Sequence, residues 1–175
     1  MTFSVQPWQK HDLRAVREIT WTTWQSAYAP FIPADNLKTY FGAHYSLRAL
    51  RAVYADPFVD GFIGTTECGP AGYLRTRYVG DEHRFYVTSL YILPEHQGRG
   101  LGGKLLAAAE ARALRYGVDA VWLGVMARNK RALAWYRRRG FRFIRKEPFA
   151  LAATTVEHRI GYRKMNAAAA RVPPP

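Results

Sequence analysis

The chain has a single cysteine, Cys68, in 175 residues. That excludes an intrachain disulfide and any cysteine-cluster metal site, and it suits a reducing compartment. Acidic residues are scarce as well: 13 Asp and Glu stand against 26 Lys and Arg, a formal net charge of +13. Such a field attracts polyanions, whether nucleic acid, anionic lipid or a multiply phosphorylated cofactor, and it speeds encounter more than it defines a site. A solvated basic surface that maintains solubility explains much of it equally well. No apolar run is long enough to cross a bilayer, and MTFSVQPWQK at the start lacks a basic segment followed by an apolar one, so a soluble cytoplasmic protein without a secretory leader is expected. His11, His44, His83, His96 and His158 are scattered, without the close spacing of a metal site, so no metal is expected.

What is present is globular. Hydrophobic residues make up 49% and charged residues 22%, in a length that suits one domain with a real core. That domain is expected over residues 1–165, and the tail NAAAARVPPP (166–175), with nothing to anchor it, is expected to be disordered.

Along the chain, FSVQPW (3–8) predicts a short strand. Asp12 is placed to cap a helix whose apolar positions Leu13, Val16, Ile19, Trp24 and Ala27 recur at roughly helical spacing. Two short helical pieces follow, from Pro33 and over 46–55. Segments 62–67 and 71–79 predict a hairpin punctuated by Gly69 and Pro70, and RFYVTSLYIL (84–93), rich in aromatic and β-branched residues, is the strongest strand signal. Then come a glycine loop, an alanine- and leucine-rich helix ending at Gly117, a buried strand over 118–126, a helix beginning at Asn129 and closed by Gly140, and strands from FRFIRK and near TVEHRIGYRKM. The order implies an α/β fold with a mixed sheet.

The glycine loop QGRGLGGK (97–104) fits three patterns. Gly98, Gly100 and Gly103 spell G-x-G-x-x-G, a dinucleotide fingerprint, but that motif opens a βαβ unit directly at a strand end, and here PEHQ intervenes past mid-chain. Gly98 to Lys104 spell most of a nucleotide P-loop, but Leu105 stands where Ser or Thr must hold magnesium. Read from Gln97, Q-x-x-G-x-G resembles a coenzyme A pyrophosphate loop. All three share one device: glycines turn the chain tightly so that amides at a helix N-terminus converge on an anion.

The surroundings favour the third pattern. LYILPEHQGRGLGGKLL resembles the acyl-CoA signature of the GNAT superfamily of N-acetyltransferases, and NKRALAWYRRRGF downstream resembles the same family's second signature. The motif-specific part covers residues 84–141; the broader resemblance runs from Phe3 to about Met165. It implies a single-domain GNAT fold with a mixed, mostly antiparallel sheet of about seven strands, splayed between the fourth and fifth and flanked by helices. It also implies acetyl-CoA as donor, an amine acceptor, direct attack through a ternary complex, and dimers, which are common among such proteins.

By that resemblance Gln97 opens the cofactor-binding loop and the pyrophosphate sits on the amides of Gly98, Arg99, Gly100, Leu101, Gly102 and Gly103, with the helix dipole adding positive potential and Arg99 lending its side chain. Pantetheine lies along Leu90, Tyr91 and Ile92 like an added strand. The N–H of Ile92 polarises the thioester carbonyl, a role that can carry about 3 kcal/mol. Asn129 caps its helix or contacts the cofactor. Tyr136, seven positions on and on about the same helix face, matches the tyrosine that protonates the departing thiolate. Arg131, with Arg128 and Lys130, is placed to meet the 3′-phosphate. One branch of the family carries a glutamate base where this chain has Gly124; Glu82, His83, Tyr91 or ordered water remain as proton acceptors. Trp21, Trp24 and Tyr28, in the aromatic stretch 20–33, are candidates for an acceptor pocket as well as for core. Two other classes stay open: a non-catalytic acyl-CoA or anion sensor, favoured by the missing glutamate, and a nucleic-acid-binding protein, suggested by charge alone without an accompanying motif.

Overall fold

Leu13, Val16, Ile19, Thr20, Thr23 and Trp24, three and four residues apart, form the buried face of helix α1 (Leu13–Ala27). In the computed structural model, which describes residues 2–165, this helix follows strand β1 (Ser4–Pro7) and a 3₁₀ turn at Lys10–Asp12. The tail expected over 166–175 lies outside the described residues. Asp12 does not cap α1 as expected: its carboxylate instead accepts the Gln9 N–H at 2.7 Å and ties the turn that leads into the helix. Helices α2 (Ala34–Tyr45) and α3 (Leu47–Ala55) follow, the second capped by the Ser46 hydroxyl, which accepts the Ala49 N–H.

Strands β2 (Val59–Thr66) and β3 (Gly69–Val79) form the expected hairpin, and β4 (Arg84–Ile92) continues the antiparallel meander. Helix α4 (Leu101–Arg115), strand β5 (Ala120–Met126), helix α5 (Lys130–Arg138) and the closing hairpin β6 (Arg142–Leu151) and β7 (Thr154–Lys164) complete the single-domain α/β fold. Strand β6 runs well beyond FRFIRK and includes Pro148, tolerated because β6 is an edge strand.

The seven strands lie in the order β1-β2-β3-β4-β5-β7-β6. All neighbours are antiparallel except β4 and β5, which are parallel and pair over Phe85–Val87 and Val121–Leu123 only. Beyond that point they part. A bulge in β4 contributes to the opening: Arg75 pairs with Ser89 and Thr76 with Val87, leaving Thr88 as an extra residue. The extra residue reverses the alternation of the strand. Phe85, Val87, Leu90 and Ile92 therefore pack on the core beneath α4 and α5, while Tyr91 turns to the second core, beneath α1, α2 and α3.

Helix α4 seats tightly because two strands make room for it. Gly64 and Gly72 are register partners on β2 and β3, and a Cβ on Gly64 would lie 2.5 Å from a Leu101 methyl. Lys104, suggested by the P-loop spelling, is a tether instead: its ammonium donates to the Phe3 carbonyl at 2.9 Å, joining α4 to the start of β1.

Candidate active site

Where β4 and β5 part, a cavity of about 1060 Å³ opens through the sheet. One end lies over the glycine loop. Gly98 (φ +77°) and Gly100 (φ +94°) adopt left-handed backbone, and a Cβ added to either would meet nothing within 4 Å, so the turn has open space before it. Gly100 is the N-cap of α4, whose first amides are directed into that turn. The Gln97 side chain donates to the Ile92 carbonyl at 2.9 Å and locks the loop against the end of β4. Lys130, Arg131, Arg138 and Arg139 also line the cavity, Arg139 beside Gly103, where an added Cβ would lie 3.3 Å from its guanidinium, and stacked 3.8 Å over the Trp135 ring. The Gly103 N–H donates to the Gly100 carbonyl at 3.0 Å and closes the first turn; left-handed glycines at a helix start with this cluster of cations suit a pyrophosphate with a further phosphate.

Asn129 caps α5 through its side-chain oxygen, which accepts the Ala132 N–H at 3.1 Å, and it also lines the cavity. Tyr136 is buried in the α4/α5 core, packed edge-on against Trp135 and Phe141, and reaches the cavity wall. Burial pushes its phenol well above the ordinary value, with nearby Tyr28 adding to the rise and Arg139 opposing it. Such a phenol stays protonated at every working pH and acts as a donor.

The other end is aromatic. Trp24 of α1 and Tyr28 just past its end, Tyr40 and Tyr45 of α2, Tyr91 of β4 and Phe149 of β6 all face it. Tyr28 is pushed up to about 12, chiefly by burial, with the Tyr91 and Asn129 side chains pulling it back. Trp21, expected beside Tyr28, lies off the cavity, its ring against Phe41 at 4.8 Å. Seven residues also rise about 10.5 Å along a helix axis, and Trp21 lies at the level of Phe41 rather than of the cavity. Leu101 is fully buried against the sheet, so only its backbone faces the loop; Arg99 is exposed on the loop, outside the cavity wall.

Two of the expected proton acceptors fall away. Glu82 and His83 sit in the β3–β4 turn, at the opposite end of β4 from the loop, where Tyr86 donates to Glu82 at 2.6 Å and His83 Nδ1 pairs with the Tyr78 hydroxyl at 3.0 Å. Tyr91 does line the cavity, but burial raises its phenol far above neutrality, with Tyr28, Tyr45 and Tyr73 adding to the effect. It serves as a donor. A residue that sequence reasoning set aside lines the cavity instead. His158 of β7 lies beside Gly124, where an added Cβ would be 3.1 Å from His158 Nδ1. Its ring stacks on Phe149 at 4.2 Å, and its Nε2 is buried with no hydrogen-bond partner. Burial lowers its pKa below the ordinary 6.5, with Glu147 opposing, so it is neutral at pH 7 and able to accept a proton. Only pairing of β7 with β5, invisible in the sequence, brings it there.

The sheet splits between β4 and β5, with the glycine-rich start of α4 on one side of the gap and buried Tyr136 of α5 on the cavity wall. Residues 13–141 match the Acetyltransferase (GNAT) family, and the chain belongs to that family. An uncharacterised N-acetyltransferase of Mycobacterium tuberculosis is 35% identical over 74 residues, 42% of this chain and 47% of that protein. The streptothricin acetyltransferase of Streptomyces lavendulae is 33% identical over 73 residues, 42% of this chain and 39% of that one. The chain thus spans about half the length of these curated relatives. Among solved structures, the PaiA N-acetyltransferase of Thermoplasma acidophilum, in complex with coenzyme A, shares the fold with a TM-score of 0.80 at 17% identity, covering 94% of this chain and 99% of that one. Among the described residues no group of three His, Cys, Asp or Glu could hold a metal ion. No described helix is long and apolar enough to cross a membrane.

Proposed function

We propose that this chain transfers the acetyl group of acetyl-CoA to the primary amine of an acceptor, with both substrates bound at once. The supporting observation is that one continuous cavity joins the cationic glycine loop, the gap between β4 and β5, and the aromatic end. A diphosphate binds the loop amides, with Lys130 and Arg131 near the 3′-phosphate. The pantetheine arm enters the gap beside Leu90, Tyr91 and Ile92, satisfying backbone groups that β5 leaves open.

Chemistry then occurs at the middle of the cavity. The amine nitrogen attacks the thioester carbonyl carbon, and the Ile92 N–H stabilises the oxyanion that develops. His158, neutral and close to Gly124, takes the proton the amine sheds. The carbon–sulfur bond breaks, and Tyr136 delivers a proton to the sulfur. Exposed Cys68 lies in the β2–β3 turn, off the cavity wall, so no acyl-cysteine step enters.

The test has two stages. Acetyl-CoA at 100 times its Kd should stabilise the fold by about 2.7 kcal/mol, roughly 5–10 °C for a protein of this size. Free thiol is then measured across an amine panel. Accelerated release by at least one amine supports the enzyme; binding without release by any amine would make the chain a sensor instead.

A further inference from the structure

The cavity wall contains Arg75, Arg128, Lys130, Arg131, Arg138 and Arg139, and among the described residues no aspartate or glutamate. A wall built to take a polycationic acceptor would carry carboxylates to replace the water each ammonium loses. This one is built for negative charge. The cations near the loop have the phosphates of the donor to meet, and Arg128 stacks over the Phe31 ring at 4.8 Å. Arg75 lies elsewhere. It projects from β3 opposite Ser89, three residues back along β4 from Ile92 and on the face of the sheet that carries Tyr73 and Tyr91.

Its surroundings are unusual for a partly buried arginine. The guanidinium lies 5.5 Å from the Tyr45 ring centroid and Nε donates to the Thr88 hydroxyl at 3.2 Å, which fixes its plane. Neither terminal nitrogen has a described protein partner, and Arg75 forms no ion pair with a described residue. Burial opposes its charge, yet beside the phenols of Tyr45, Tyr73, Tyr91 and Tyr40 its pKa still lies above the ordinary value, so the group is charged at working pH. An oriented guanidinium with two free donor edges in a cavity matches the paired oxygens of a carboxylate or phosphate.

Resting on the N-acetyltransferase reading above, we propose that the acceptor is an anionic amine, carrying a carboxylate or phosphate in the same molecule, and that the Arg75 fork binds that anion at the aromatic end of the cavity. The rings of Trp24, Tyr40 and Phe149 cover the body between its two ends. Diamines and polyamines are disfavoured, because their second ammonium finds Arg75 and no carboxylate.

The experiment compares matched probes: β-alanine with β-alaninamide, 6-aminohexanoate with its amide, phenylalanine with phenylalaninamide, 2-aminoethyl phosphate with ethanolamine, and 1,4-diaminobutane. Binding is read as a thermal shift in saturating CoA, which occupies the loop cations, and turnover as thiol release from acetyl-CoA. For at least one pair the acid should exceed its neutral counterpart by about 10- to 100-fold in kcat/KM, and only the acid should shift the melting temperature. The carboxylate and phosphate pairs show which anion is read. In Arg75→Gln the ratio should fall to near one; in Arg75→Lys, which keeps charge but loses the fork, a few-fold preference should remain. Equal use of acid and amide, preference for the diamine, or a wild-type ratio in either variant overturns the proposal. If acids bind through Arg75 and no amine releases thiol, the anion site stands and the acetyltransferase reading falls.

Discussion

Replacing Tyr136 with phenylalanine separates catalysis from packing, because the ring sits in a core that phenylalanine fills equally well. Its contacts with Trp135 and Phe141, at centroid distances of 4.9 and 5.2 Å, survive the change. Stability should therefore move only by the net worth of one hydroxyl, about 0.5–1.5 kcal/mol, or roughly 6 °C at most in a protein of this size. Turnover should fall further. A free thiol has a pKa near 8.5, and the Tyr136 phenol lies above its ordinary 10, so complete proton transfer to a water-exposed thiolate would be uphill by at least about 2 kcal/mol. The tyrosine is thus effective only as the sulfur itself is desolvated, and the expected loss is about 100-fold, the lower end for a general acid. The assay is steady-state thiol release at saturating acetyl-CoA and acceptor, repeated with a thioester of a more acidic thiol. That better leaving group needs less proton donation, so the wild-type advantage should shrink toward unity. A folded variant with kcat within about twofold of wild type, or a loss independent of the leaving thiol, would remove Tyr136 from the chemistry and leave it as core.

Three further outcomes follow from the same geometry. If His158 accepts the proton, kcat/KM should decline as pH falls below about 6.5, through its lowered folded pKa, and His158→Gln should be slower and lose that limb; a retained limb assigns the base elsewhere. The same shift acts on stability: the unfolded chain takes up a proton near 6.5 while the folded one does not, so His158's contribution is complete above that pH and is lost as pH falls through the folded value, visible as a smaller acid-side loss of melting temperature in the glutamine variant. Gly100→Ala forces a Cβ into φ +94°, at about 1–2 kcal/mol, and should raise KM for acetyl-CoA, whereas Gly69→Ala, strained at φ +116° in the β2–β3 turn, should cost stability without moving KM; equal effects on KM would show that the loop does not hold the donor.

Much of the architecture was legible because its signals are local. The spacing of Leu13, Val16, Ile19 and Trp24 marks one helix face, and glycines 98 and 100 stand where the chain turns left-handed before α4. Asn129 announces α5 by the capping oxygen it supplies. In each case the residue and the group it satisfies lie within a turn of each other, so composition and spacing suffice. The departures were non-local or depended on small rotations. Glu82 and His83 sit near β4 in the chain yet at the wrong end of it, and Trp21 packs on Phe41 because seven residues of helix carry it about 10.5 Å along the axis from Tyr28.

By itself, the sequence determined the helices, the left-handed glycine turn before α4 and the position of Tyr136 on α5, since backbone sterics and periodic burial act between near neighbours. Tertiary structure alone decided which groups face the reacting space. Insertion of β7 between β5 and β6 carries His158 to the vacancy beside Gly124, and the Thr88 bulge turns Tyr91 toward the aromatic core while Arg75 stands without an acid. Those are properties of strand order and register, set by the burial of two whole cores at once, and no window of adjacent residues contains them.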